Sequence, residues 1–117
     1  MSYNENLVSR IRESLFNEQN VEEKKMFQGL CFMVNDKMCI CVRNDEIMCR
    51  IDPDKIEAEL ERGNCREMIH NGKIIKGYIF VSEDGYKSKK DFYYWITLCL
   101  EFNKKAKASK SKKKNKI

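Results

Sequence analysis

From Lys24 to Ile51 the chain reads KKMFQGLCFMVNDKMCICVRNDEIMCRI, an apolar stretch with two short polar interruptions. Strand side chains alternate between faces, so apolar patterning with a period of two specifies strands. Asn35-Asp36 and Asn44-Asp45 separate the runs, and both residue types tolerate the positive φ of tight hairpin turns. The stretch predicts a strand that starts at Met26-Phe27, bends or bulges at Gly29 and continues through Leu30–Val34. Lys37–Arg43 and Glu46–Ile51 are the next two strands. A chain with this segment must build an antiparallel meander.

Two-residue turns fix the register, and the register assigns the faces. Cys31, Met33, Met38, Ile40, Val42, Ile47, Cys49 and Ile51 fall on one face, and all are apolar. Leu30, Phe32, Val34, Lys37, Cys39, Cys41, Arg43, Glu46, Met48 and Arg50 fall on the other, with Arg43 opposite Glu46. The first face is the expected core. The second mixes charge with an apolar cluster, and such a cluster marks a contact surface or a covering element.

Helices flank the meander. Leu7, Val8, Ile11, Leu15 and Phe16 recur at helical spacing and predict a helix over 5–18, with Asn4 as its cap. Asn17–Glu23 reads as a polar loop. Asp52-Pro53 opens a short helix with Ile56 and Leu60 inward and Glu57, Glu59 and Glu61 outward; Gly63-Asn64 ends it. Cys65–His70 and Lys73–Ser82 form a hairpin about Asn71-Gly72, in which Glu67 opposes Lys76. After a loop, Ser88 caps a last helix whose stripe is Phe92, Trp95, Ile96, Cys99 and Leu100. Leu98 and Phe102 widen its apolar arc, so part of this helix is expected to meet a second surface. The fold class is α+β: two layers, an antiparallel sheet of about five strands, and the order α-β-β-β-α-β-β-α.

The 117 residues suffice for one such domain. The net charge of +5 is unevenly placed. Residues 104–117 contain eight lysines (Lys104, Lys105, Lys107, Lys110, Lys112, Lys113, Lys114 and Lys116) and no acid. Without them, 15 basic residues face 18 acidic ones, a net of −3 over residues 1–103. The expected organisation is a domain over 1–103 and a disordered lysine-rich tail over 104–117. That tail either binds polyanions in a salt-sensitive, sequence-independent way or simply keeps the chain soluble. It has no interleaved arginine or aromatic for base readout or stacking. No run has the roughly 20 apolar residues of a membrane span, and the N-terminus is polar and acidic, so a cytoplasmic protein without a membrane partner is expected.

Six cysteines raise the question of chemistry. With no secretion signal, reduced and buried thiols are the expectation. Structural zinc needs four converging ligands, and the chain has no Cys-x-x-Cys and a single histidine, His70, at a turn. A thiolate nucleophile needs a histidine or helix N-terminus beside it, which Cys65 lacks. Cys39 and Cys41, on the mixed face, are the thiols open to redox sensing, with packing their expected role. No glycine-rich phosphate loop leads into a helix. The expectation is no enzyme, no metal and no cofactor.

Lys25-Met26-Phe27-Gln28-Gly29-Leu30-Cys31-Phe32-Met33-Val34-Asn35-Asp36-Lys37-Met38 resembles the TfoX N-terminal domain family of bacterial competence regulators. In that pattern a lysine leads into Met-Phe-Gly-Gly, a Leu-x-Phe-Met strand and a Gly-Lys-Met turn. Met48–Ile51, Arg66–Met68, Gly72–Tyr78 and Trp95 continue the likeness, which covers roughly residues 3–102. Gln28 and Asp36 stand where the family usually has glycine, and Ile75 where methionine is common. The resemblance implies a non-catalytic α/β domain, linked in full-length regulators to a second, nucleic-acid-associated domain that is not expected within these 117 residues. The implied function is a regulatory, transcriptional-regulator-like module that binds a protein partner or a second copy. Contact is expected on the outer sheet face or final helix, through Leu30, Phe32, Cys41, Met48, Leu98 and Phe102. The alternative is sequence-independent nucleic-acid binding through the lysine tail.

Overall fold

The computed structural model describes residues 3–106. Asn4 caps α1 (Glu5–Ser14), its side chain accepting from the N–H groups of Asn6 and Leu7. The helix is shorter than its apolar pattern predicts. Leu15 ends it and stays buried, whereas Phe16 projects into solvent at 84% exposure.

Six strands follow rather than five. They are β1 (Val21–Met26), β2 (Gly29–Val34), β3 (Lys37–Arg43), β4 (Glu46–Arg50), β5 (Cys65–His70) and β6 (Lys73–Val81). All pairings are antiparallel, in the order β1-β2-β3-β4-β6-β5. β1 occupies part of the expected loop. As an edge strand it buries little, so it carries no apolar alternation to read. Its Glu23 carboxylate receives two hydrogen bonds from the Arg12 guanidinium, 2.6 and 2.8 Å, which tie β1 to α1.

The β1–β2 turn explains the departures from the family pattern. Phe27 and Gln28 have φ of +54° and +62°, and Asp36 in the next turn has +66°. Both unusual residues therefore sit in left-handed backbone, where glycine lacks the Cβ clash. Gly29 is required for a different reason. A Cβ there would lie 2.0 Å from the Val42 carbonyl oxygen, so β2 could not approach β3.

The register of β2 on β3 differs from the two-residue-turn expectation. Val34 opposes Lys37 and Met33 opposes Met38, but Phe32 then opposes Ile40, leaving Cys39 as an extra, bulged residue. Beyond the bulge, Leu30, Phe32 and Val34 share a face with Ile40, Val42, Ile47, Cys49 and Ile51. Cys31, Met33 and Met38 join Cys41 and Met48 on the opposite face. The expected parity thus holds for Ile40–Arg43 and all of β4, and is inverted for β2, Met38 and Cys39, which is buried on the helical side and not on the mixed face with Cys41. β2 is apolar on both faces, so its own pattern could not indicate the inversion.

Asp52 caps a 3-10 turn (Pro53–Lys55) that runs into α2 (Ile56–Arg62). The β5–β6 hairpin turns at Asn71-Gly72 as expected, but Glu67 opposes Ile79 and not Lys76. An irregularity about Gly77, φ +89°, takes up the extra residues of β6, and the Gly77 carbonyl accepts from Ile51 N–H at 2.9 Å. A short α3 (Glu83–Tyr86) precedes α4 (Lys89–Asn103), which Ser88 caps through Asp91 N–H at 3.0 Å. α4 lies on β3 and β4 and touches α1 and α3. Its wide apolar arc is filled by these neighbours within the same domain.

Removing the left-handed cost at Gln28 without touching the close approach at Gly29 should separate the two effects. Gln28→Gly is expected to raise unfolding free energy by about 1 kcal/mol. Gly29→Ala is expected to lower it by about 2 kcal/mol or more, since backbone must move to admit the Cβ. Urea denaturation of the two variants checks both signs.

Candidate interaction surface

Most of the expected contact residues are inside the protein. Leu30 and Phe32 face the helices, and Phe32 has no exposed surface. Cys41 and Met48 lie on the other sheet face but are buried, and Leu98 is buried in α4. Phe102 alone is half-exposed, with the Arg50 guanidinium 5.6 Å from its ring centre. These six therefore do not form a common surface. The physical reason is the bulge at Cys39, which turns β2 over, together with the closure of the opposite face by its own long side chains.

That opposite face holds a second apolar cluster made only of strand residues: Cys31, Met33, Met38, Cys41, Met48, Met68 and Phe80. Arginines cover Phe80, with Arg43 at 4.4 Å and Arg66 at 4.8 Å from its ring centre. Such stacking removes the ring from water while keeping the charges outside. Arg66 is itself held by both carboxylate oxygens of Glu46, which lowers the Glu46 pKa below its ordinary value.

The bulge also brings Cys31 directly opposite Cys41, with Cα atoms 4.0 Å apart, and the two form a disulfide. The expectation of six reduced cysteines is thereby corrected. Without the bulge Cys31 would have faced Ile40. The free thiols on the helical side have a different character. Contact with Cys99 and burial raise the Cys39 pKa well above its ordinary value, and burial does the same to Cys99. Burial also raises Cys65. Protonated thiols of this kind are the opposite of an activated nucleophile. Among the described residues, no group of three or more His, Cys, Asp or Glu side chains is placed to hold a metal ion.

Glu59 was expected to face outward and is instead 5% exposed. It accepts from the Tyr94 hydroxyl and, at 3.0 Å, from Arg62, whose guanidinium also lies over the Tyr94 ring at 4.3 Å. Burial, and then the hydrogen bond to Glu59, raise the Tyr94 pKa. Both carboxylate oxygens are thus satisfied, and the trio fastens α2 to α4. Residue spacing on so short a helix gave no sign of this tertiary partner.

The exposed apolar surface lies elsewhere. Ile69 and Ile74 oppose one another across β5 and β6 and are 64% and 54% exposed. They sit on the edge of the sheet, since β5 pairs only with β6. Ile74 also lines a groove of about 550 Å³ between Pro53–Leu60 and the hairpin. Ile56, Leu60 and Ile75 contribute apolar walls, and Asp54, Glu57 and Glu67 contribute carboxylates.

At the end of α4, buried Asn103 donates to the Val34 carbonyl at 3.1 Å and its own carbonyl accepts from Lys37 at 2.8 Å. Lys104 is exposed, Lys105 pairs with Asp52 at 3.1 Å, and Ala106 is buried. Two residues of the expected tail, Lys105 and Ala106, are thus placed against the domain. Lys107, Lys110, Lys112, Lys113, Lys114 and Lys116 lie outside the described residues. No helix of the described residues is long and apolar enough to cross a membrane.

The family model described as the TfoX N-terminal domain matches residues 13–103. No curated protein and no solved structure matches the chain.

The disulfide has a direct readout. Thiol titration in denaturant is expected to find four reactive cysteines before reduction and six after it, as the Cys31–Cys41 pairing and the free Cys39, Cys49, Cys65 and Cys99 require. Six without reduction would show that the pair is open.

Proposed function

Because the chain belongs to the TfoX N-terminal domain family, we propose that it is a regulatory module that acts by binding a protein partner or a second copy of itself. The family is not known as enzymatic, and the raised thiol pKa values give Cys39, Cys65 and Cys99 no nucleophilic character. The carrying observation is the exposed cross-strand pair of Ile69 on edge strand β5 and Ile74 on β6, beside a groove with apolar walls. An uncovered edge offers backbone hydrogen bonds to an added strand, and large exposed aliphatic side chains supply contact area. The contact is thus assigned to the hairpin edge and not to the outer sheet face or the final helix.

Since both isoleucines are exposed, Ile69→Glu with Ile74→Glu should leave the melting temperature within a few degrees of the parent. Self-association by sedimentation velocity, or capture of the partner, is expected to weaken at least tenfold. An unchanged profile in a folded variant would refute this assignment.

A second reading is favoured by charge placement: eight lysines without an acid follow a domain of net −3. Such a segment binds polyanions through counterion release. Replacing the six lysines of 107–117 by glutamine should reduce the log–log salt slope of DNA binding by about 4 to 5. Equal slopes for the two proteins would dismiss the tail as the binding element.

A further inference from the structure

We infer that the groove between Pro53–Leu60 and the β5–β6 hairpin is a binding site for a lysine-rich extended segment, and that residues 107–117 of the same chain occupy it. The proposal rests on reading this edge as a contact surface and names its intramolecular occupant.

The described chain ends beside the groove. Lys105 Nζ pairs with Asp52 Oδ2 at 3.1 Å, and Asp52 immediately precedes Pro53 and Asp54, both of which line the groove. Ala106 is buried, so the departure point is held against the domain by packing as well as by charge. Eleven residues follow, and extended they span up to about 36–40 Å. The seven-residue α2 beside the groove is only about 10 Å long. The tail therefore reaches the whole groove without strain.

The chemistry of the two is complementary. Asp54, Glu57 and Glu67 supply three carboxylates, against Lys76 as the one cation in the lining. Residues 107–117 supply six lysines and no acid. Lysine is suited to a groove with apolar walls and acidic edges. Its methylene stem covers aliphatic surface such as Ile56, Leu60 and Ile75 while the ammonium group remains near water and the carboxylates. Individual exposed ion pairs contribute little, but tethering supplies the lysines at an effective concentration in the millimolar range. A weak contact is then substantially populated at low salt and released as salt rises. Lysines held in the groove are withheld from any external polyanion, so the groove competes in cis with nucleic-acid binding.

Amide NMR spectra of the full chain and of a full-length variant with the six lysines of 107–117 changed to glutamine test this. The expected result is a shift of the Glu57, Leu60, Glu67 and Ile74 amides between the two proteins at low salt. Raising sodium chloride to 0.5 M or above should bring the parent's amides to the variant's positions, by screening over a few Å. A synthetic peptide of residues 107–117 added to the glutamine variant should move the same amides back. Coincident groove amides in parent and variant at low salt would overturn the proposal. That result would leave the partner reading intact, whereas a tail contact that persists in a protein indifferent to Ile69→Glu and Ile74→Glu would overturn the partner reading alone.

Discussion

The pairing of β2 with β3 is the constraint from which the rest of the structure follows. Gly29 lets the two strands approach, and the bulge at Cys39 shifts the register by one residue from Phe32 to Leu30. A one-residue shift moves a strand's side chains to the opposite face. Here it sends Leu30, Phe32 and Val34 to the helices and Cys31 and Met33 away from them. The core under α1 and α4, the Cys31–Cys41 disulfide and the methionine-rich face are all consequences of that shift.

The two sheet faces solve burial differently. On one, α1 and α4 cover aliphatic and aromatic side chains, each such burial contributing about 1.5–3 kcal/mol. On the other, flexible methionines and stacked arginines close the surface without a helix. This leaves little apolar area on either face for a partner. Ile69 and Ile74 form an exposed apolar cross-strand pair on the β5–β6 hairpin, beyond the irregularity at Gly77. The charge distribution follows the same geography, with carboxylates about the groove and the lysines of the chain's end beginning next to it.

Much of the fold was legible because local signals and tertiary structure agree. Asn4, Asp52 and Ser88 cap the helices they were expected to cap, and Asn35-Asp36 and Asn71-Gly72 turn where expected. β1 was missed because four of its six residues are exposed and the other two only half-buried, so no alternation survives. The facing of Leu30 and Phe32 was not legible because LCFMV in β2 is apolar at every position. Alternation carries no parity information in such a run. Ile69 and Ile74 were readable as a cross-strand pair from the Asn71-Gly72 turn, but their exposure was not, since it depends on what fails to cover them.

By itself the sequence determined the helix–meander–helix–hairpin–helix order, the family and the segregation of lysines at the chain's end. These depend on backbone preferences, short-range spacing and composition, which act within a few residues. Only the tertiary structure decided the facing of β2, the pairing of Cys31 with Cys41 and the burial of Glu59 against Tyr94 and Arg62. It also decided that β2, at the centre of the most strongly patterned stretch, is buried at every position on both faces of the sheet. Each of these depends on a bulge or on a partner distant in sequence. Their energies come from burial that no local pattern records.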